Sequence, residues 1–571
     1  MNYIKNILLV LIIISSFFHV STAADPVKQL PEISKDHAKE YGKIIVRDFK
    51  GRIKPMNTLD LEVLRKLSGK SEIYDQNADQ AILGIIMFPN QWSQVPLIKI
   101  GRHKNIRNLI KKRGKLGAYD DFFDKNGNYI FKDLVRKAFQ TETRDRGKFE
   151  KELLKLDERI NIFNMLVNQR LLYIYPIPYN SSQKWMSPYE IKQDADSNNN
   201  DELYTYYSKL FPAYNTSIGE AIKTNNWDLP NQIVNEFREN QISNATNIPS
   251  NSKFKFELLL NKLNIFQRVR NIYGLLGFLV LILFFIKVFK PSIFLDKAFK
   301  IVYVLVFLTF LFQMTGLGMR WYISGRAPWS NGYESLVYIS FTTMLAGVIF
   351  GRKSWGGLAA ALILSSVILM VAGLSLFDPE ITPLVPVLKS YWLTIHVSLE
   401  AGSYGFLLLG AILGFINLLL MIFMKESNKS RVMKTIKELT IISEMTLLAG
   451  LVMVSIGTHL GGVWANESWG RYWGWDPKET WALVTVLVYA FILHLRFIPG
   501  MRGIFTYNFS TLFGFATVMM TYFGVNYYLS GLHSYAAGDS IPIPPSVYYT
   551  ALIFAAISFF AYIKARKLKI N

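Results

Sequence analysis

Residues 461–480 read GGVWANESWGRYWGWDPKET and run directly into Trp481. Five of the twelve tryptophans in the chain, Trp464, Trp469, Trp473, Trp475 and Trp481, fall in this stretch. Tryptophan is ordinary at a membrane interface, because its ring is amphipathic. Five indoles within eighteen residues, together with Tyr472 and the turn-forming pair Asp476-Pro477, exceed what an anchoring belt requires. Their faces would form a flat apolar platform. Asn466, Arg471 and Lys478 can reach anionic groups, and Asp476 with the neighbouring glutamates can fix the loop through its backbone donors. That surface suits a flat aromatic ligand bearing carboxylates, and haem is such a molecule. Taken alone, the stretch is equally compatible with an interfacial anchor loop.

Outward from this loop the chain is apolar. Candidate spans lie near 272–289, 298–319, 333–351, 355–376, 391–424, 438–460, 481–498, 508–530 and 546–563, nine in all. A run of about 20 apolar residues crosses a hydrocarbon core of about 30 Å. The fifth run is too long for one straight crossing. Lys425, Lys429, Arg431, Lys434 and Lys437 crowd one connecting loop, and further basic residues fall at 287–300, at Arg352-Lys353, at 496–502 and in the tail 564–569. The positive-inside rule places these loops in the cytoplasm. The C-terminus is then inside, and the N-terminal region and the loops 320–332, 377–390, 461–480 and 531–545 are outside. The fold class expected is a polytopic α-helical membrane protein of about nine transmembrane helices with an N-terminal exported, mainly helical soluble domain.

Residues 1–24 have a charged start, an apolar centre and a small-residue end at Ser21-Thr22-Ala23-Ala24, the pattern of a secretory signal peptide or an N-terminal anchor. Residues 25–270 read as the exported (periplasmic) domain, with amphipathic stretches such as Phe149–Leu172 and a polar loop at Asp194–Asp201. Residues 271–571 form the transmembrane domain. The chain has no cysteine, which excludes disulfides, thiol relays, iron–sulfur ligation and zinc–thiolate sites. Its net charge of +21 comes from the cytoplasmic loops and a basic run at 102–115, and no motif supports nucleic acid as a partner. That basic run reads as a solvated face.

Any iron chemistry must draw on seven histidines: His19, His37, His103, His396, His459, His494 and His533. His396, near the start of the fifth span, and His533, in the loop after the eighth, fall at the depth of the tryptophan loop. Two imidazoles on opposite faces of a porphyrin give six-coordinate iron, which makes this pair the expected axial ligands. His494 lies thirteen residues beyond Trp481, roughly 20 Å deeper at about 1.5 Å per residue. An ionisable residue at that depth is a functional candidate, here an inner-membrane haem site. The chain offers no second histidine at that depth, so a partner would have to supply the opposite ligand. His459 reads as a helix-end residue among glycines. A second segment, 320–336, reads RWYISGRAPWSNGYESL and combines Arg326, Trp329 and Asn331 in a compact turn. It could close over the tryptophan loop, with Arg326 reaching a haem propionate.

The tryptophan signature WANESWGRYWGWDPKETWAL resembles that of the CcsA/ResC proteins of system II cytochrome c biogenesis. RWYISGRAPWSNGYESL, LTIHVSLE and GLHSYA are similar to the same family. The resemblance covers roughly 270–571. GRIKPMNTLDLEVL, in the N-terminal half, resembles less specifically the periplasmic part of fused CcsB–CcsA synthetases. By resemblance, His396 and His533 match the outer histidines that ligate haem, and His494 matches a membrane histidine on the route of entry. The fused proteins carry a further membrane portion with the partner histidine, which this sequence lacks. A separate CcsB/ResB-like subunit is therefore expected.

The function expected is cytochrome c maturation in a bacterial inner membrane. Haem (protohaem b) is held at the outer face by Trp464, Trp469, Arg471, Tyr472, Trp473, Trp475, Asp476 and Trp481. It is presented to the Cys-x-x-Cys-His segment of an apocytochrome c. The chain would be a subunit of a holocytochrome c synthetase (haem lyase), an enzyme only in the templating sense, since no side chain is an obvious acid–base catalyst. Two other readings share these features: a haem exporter or relay without attachment, and a transporter or ligase for another amphipathic anion.

Overall fold

The computed structural model describes residues 30–570, apart from 111–113, 143–144, 179–183, 195–201, 291–292, 375–376, 385–388 and 530–542. The segment 1–24, most of the polar loop 194–201, His19 and His533 lie outside the described residues. The chain divides into two compact units, one of residues 1–47, 59–140 and 147–246, the other of 48–58, 141–146 and 247–571.

The first unit is mainly helical, as its amphipathic stretches predict. Lys148–Val167 is one helix, burying Leu153, Leu156, Ile160, Phe163 and Leu166 at three- and four-residue spacing. Ala78–Met87 starts on a capping box, in which the Asn77 side chain accepts from the Gln80 amide and Gln80 reciprocates. Gln241 is fully buried. Its amide accepts from Ile45 N and donates to the carbonyls of Ile45 and Ile174, tying three segments together. His37 is also buried here, bonded to Asn231 Oδ1 at 2.7 Å and Tyr214 Oη at 2.9 Å, which makes it a structural residue. In the basic run, Lys104–Leu109 forms a short helix with Lys104 and Asn105 exposed.

The same core holds a fully buried acid, Asp60. Burial, with the Asp79 carboxylate beside it, pushes the Asp60 carboxyl well above the usual carboxylate range. The folded state therefore binds this proton more tightly than the unfolded state. Its contribution is full below the unfolded value of about 3.9 and is lost as pH rises through the folded value. Asp60→Asn cannot ionise. Amide hydrogen exchange in Ala78–Met87 is expected to be slower in this variant than in wild type near pH 8 and equal near pH 4, as linkage requires. Faster exchange at the higher pH would refute it.

The second unit is a helical bundle. A helix α1 (Asn251–Leu263) leads through left-handed Asn264 into α2 (Ile265–Phe289), followed by α3 (Ile293–Ser324), α4 (Gly332–Phe350) and α5 (Trp355–Ala372). Then come α6 (Tyr391–Phe423), α7 (Lys429–Trp469), α8 (Pro477–His494), α9 (Ile504–Met519), α10 (Val525–Tyr528) and α11 (Pro545–Lys567). Among the described residues eight helices are long and apolar enough to cross a membrane. The eighth span expected, near 508–530, corresponds to α9 and α10, joined by a π-helical turn at Met520–Gly524. The fifth is one unbroken helix of 33 residues.

Two boundaries differ from the sequence reading. The tryptophan stretch is loop only in part, because α7 runs on to Trp469 and ends at Gly470, whose φ of 70° suits the left-handed cap. Residues 48–58, near the start of the sequence read as exported, belong to the second unit. Glu257 on α1 pairs with Arg52 and accepts from Thr58 Oγ1 at 2.8 Å, and Asn261 donates to Asn57 Oδ1 at 3.0 Å.

Candidate functional site

α6 and α7 pack side by side, and small residues let them approach closely. A Cβ at Gly461 would sit 2.6 Å from His396 Cε1 and 2.8 Å from Nδ1, so glycine is what admits the His396 ring against α7. The ring is oriented there by a hydrogen bond between Nδ1 and the Gly457 carbonyl at 2.7 Å. A carbonyl can only accept, so Nδ1 carries a proton, and in the neutral ring Nε2 holds the lone pair. This is the arrangement of a metal-binding histidine, whose second nitrogen is fixed by a backbone oxygen.

His396 lines a cavity of about 980 Å³ within the second unit. That is the upper end of the range of about 300–1,000 Å³ for small-molecule and cofactor sites. Aromatic walls come from Trp321, Trp329, Tyr391, Trp464, Tyr472 and Trp473. Polar residues of the lining include Glu400, Thr458, Lys478 and Asn526. Glu400 accepts from Thr458 Oγ1 at 2.8 Å and from Tyr404 Oη at 3.4 Å, and Lys478 Nζ donates to Asn526 Oδ1 at 3.2 Å. A planar aromatic macrocycle fits this donor set: one oriented imidazole, flanking indoles and a few polar groups.

The stretch 470–476 is held between two caps. After Gly470, the chain reaches Asp476, which caps α8 by accepting from Lys478 N at 2.9 Å. Glu479 accepts from the amides of Gly474 at 2.8 Å and Asp476 at 3.2 Å. Trp464, Tyr472 and Trp473 reach the cavity; Trp469 and Trp475 back them, edge-on to Trp464 at 4.8 Å and to Trp473 at 5.9 Å. Arg471 lies exposed across Gly474, and Trp481 offers its carbonyl to Thr485 and Thr521. Trp475 is 72% exposed and holds φ at 56°, a strained conformation for a bulky residue.

The turn before α4 forms one lip of the cavity. Glu334 is 1% exposed and takes both Arg320 at 2.8 Å and Arg326 at 2.7 Å. Arg326 also donates to the Thr382 carbonyl, and Arg320 to that of Pro379, each at 3.0 Å. Asn331 caps α4 by accepting from Glu334 N at 2.8 Å and donates to the Glu380 carbonyl. Lys50 lines the cavity as well, paired with Glu380 at 3.2 Å.

His459 and His494 are not at this cavity. Both are exposed and bond through Nδ1 to the carbonyl four residues earlier, Ser455 and Ala490, at 2.7 Å. His494 closes α8, seventeen residues after its Pro477. The sequence reading missed Glu400, Tyr404 and Thr458. The signal for Glu400 was present, since a carboxylate inside a membrane-length apolar helix marks function by default. Lys50 gave no local signal.

Comparison with known proteins identifies the family. The family profile described as Cytochrome C assembly protein matches residues 329–533, from the lip tryptophan through the tryptophan stretch to the last histidine. Protein NrfI of Wolinella succinogenes is 40% identical over 514 residues, which cover 89% of this chain and 56% of NrfI, so the chain spans little more than half of that relative. The cytochrome c biogenesis protein CcsA of Guillardia theta is 36% identical over 242 residues, 38% of this chain and 80% of that protein. CcsA of Prochlorococcus marinus is 33% identical over 295 residues, covering 94% of its length. An integral membrane protein by its helices, the chain belongs to the CcsA-type cytochrome c assembly family.

Proposed function

We propose that this chain binds haem in the cavity beside His396 and presents it on the outer face of the membrane for thioether attachment to apocytochrome c. The observation that carries this reading is His396 itself, an imidazole in an aromatic-walled cavity with Nδ1 committed to the Gly457 carbonyl. His533 is proposed as the opposite axial ligand. Trp464, Tyr472 and Trp473 would pack on the ring, while Arg326 and Asn331 hold the lip over it. When bound, haem supplies the vinyl groups that the two cysteine thiols of a Cys-x-x-Cys-His segment add across. The residues of the chain orient it, keep competing thiols away and leave one edge open. The exposed His494 is proposed as the inner site, completed by a CcsB/ResB-like partner. Residues 25–270 are proposed to be periplasmic, exported by the N-terminal segment.

The test is co-expression with a Cys-x-x-Cys-His reporter, with and without such a partner, in a bacterium lacking its own maturation system. Covalently haem-stained reporter is expected only when the partner is present. Haem on the purified chain with no stained reporter under any pairing would leave a relay without attachment.

The close approach at Gly461 gives a second expectation. Gly461→Ala pushes the His396 ring off the Gly457 carbonyl, a loss of orientation of the kind that costs about 10- to 100-fold in metal affinity. Haem retained through purification should fall accordingly, measured by pyridine haemochrome, while Gly462→Ala, whose Cβ would face the Tyr472 carbonyl instead, should leave the His396 ring in place.

A further inference from the structure

Glu400 is the buried acid in this cavity that the proposed function does not use. It is 8% exposed, ten residues into a 33-residue helix long and apolar enough to cross a membrane. Such a group is expensive and persists where it has work to do. It stands one turn beyond His396 on the same face of α6, and Tyr404 stands one turn further. Two neighbouring residues of α7 receive this face. His396 bonds the Gly457 carbonyl at 2.7 Å, and Glu400 Oε1 accepts from Thr458 Oγ1 at 2.8 Å. A Cβ at Gly457 would lie 3.1 Å from Glu400 Oε1 and 3.2 Å from its Cγ, so the carboxylate also fills the space that this glycine leaves. Tyr404 Oη donates to Glu400 Oε2 at 3.4 Å.

We propose that Glu400 is a positioning residue for the haem ligand His396, acting through Thr458 to hold the α6–α7 register that keeps the Gly457 carbonyl on Nδ1. This rests on the haem reading of the cavity. The carboxylate does not approach iron in the proposal. It locks the residue next to the one that orients the imidazole, so that the lone pair of Nε2 stays directed at one place. If the lock is removed, α7 can slide or rotate slightly, the Nδ1–carbonyl bond lengthens, and the imidazole samples other orientations. The consequence is a ligand that is present but badly aimed, which differs from a ligand that is absent.

The experiment uses the full chain purified with its haem, and reads the visible spectrum of the reduced protein alongside haem content. Glu400→Ala is expected to convert at least half of the low-spin haem to a high-spin form, and added imidazole should restore the low-spin bands. Glu400→Gln keeps an acceptor for Thr458 and should rescue most of the wild-type spectrum. Thr458→Val removes the same contact from α7 with the acid left in place and should reproduce the alanine spectrum, which keeps the test valid if Glu400→Ala does not fold. The double variant should be no worse than either single one. A wild-type spectrum in both Glu400→Ala and Thr458→Val, with haem content unchanged, overturns the positioning role and leaves the haem reading standing. A colourless wild type under haem-replete expression overturns both.

Discussion

His396→Ala purifies as a folded membrane protein with less than about a tenth of the wild-type low-spin haem, because removal of a ligand costs at least what loss of its orienting partner does. The expectation follows from the construction of the site. The imidazole sits in a recess that only Gly461 allows, its tautomer is set by the Gly457 carbonyl, and the surrounding walls are aromatic. Removing the ring leaves apolar walls that still favour a flat ligand, so a residue of weakly held, high-spin haem should persist rather than none. His459→Ala is the matched control. That residue lies on the same helix two residues before Gly461, but it is exposed and bonded to Ser455, and its loss should leave the bands unchanged. Pyridine haemochrome content and the reduced visible spectrum measure both. Wild-type bands in His396→Ala would remove the central observation behind the proposed function.

The contrast between His396 and His459 also indicates how much of this site the sequence discloses. Bilayer crossing demands long apolar runs, so the spans can be read directly, and the concentration of indoles marks one loop as unusual. The Asp476–Glu479 capping box can be read as well, since an acid three residues before a glutamate at the start of an apolar run is a helix-start signal. The continuation of α7 to Trp469 is harder to see, because helix persistence past the apolar window depends on the cap at Gly470 and not on hydropathy. Partners separated by many residues leave no local trace. The attachment of residues 48–58 to α1 through Glu257 is of this kind, as is the clasp of Thr458 by Glu400. Arg326 is the instructive case. Its sequence context suggests a cation aimed at a ligand carboxylate, whereas its guanidinium is engaged by Glu334 and the Thr382 carbonyl.

That engagement makes Glu334→Ala the second large expected effect. One carboxylate with 1% of its side chain exposed balances two guanidinium groups with 6% and 10% exposed. Breaking a buried pair by removing one partner costs about 3–5 kcal/mol, because the uncompensated charge stays behind. Here two charges stay behind, and the Ser330 amide loses its acceptor as well. Arg320 and Arg326 also hold the carbonyls of Pro379, Glu380 and Thr382, so the lip of the cavity should loosen with them. Limited proteolysis at 377–384 and thermal aggregation in detergent should both show a marked loss of stability. Arg326→Ala should be milder, since Arg320 and Glu334 remain paired. Haem retention separates the two roles of Arg326 by sign. If its work is to hold the lip, Glu334→Ala lowers retention, because the cavity opens. If its work is to meet a ligand carboxylate, removal of its competitor Glu334 raises retention. The buried geometry of the pair predicts the first outcome, and a rise would return Arg326 to the ligand.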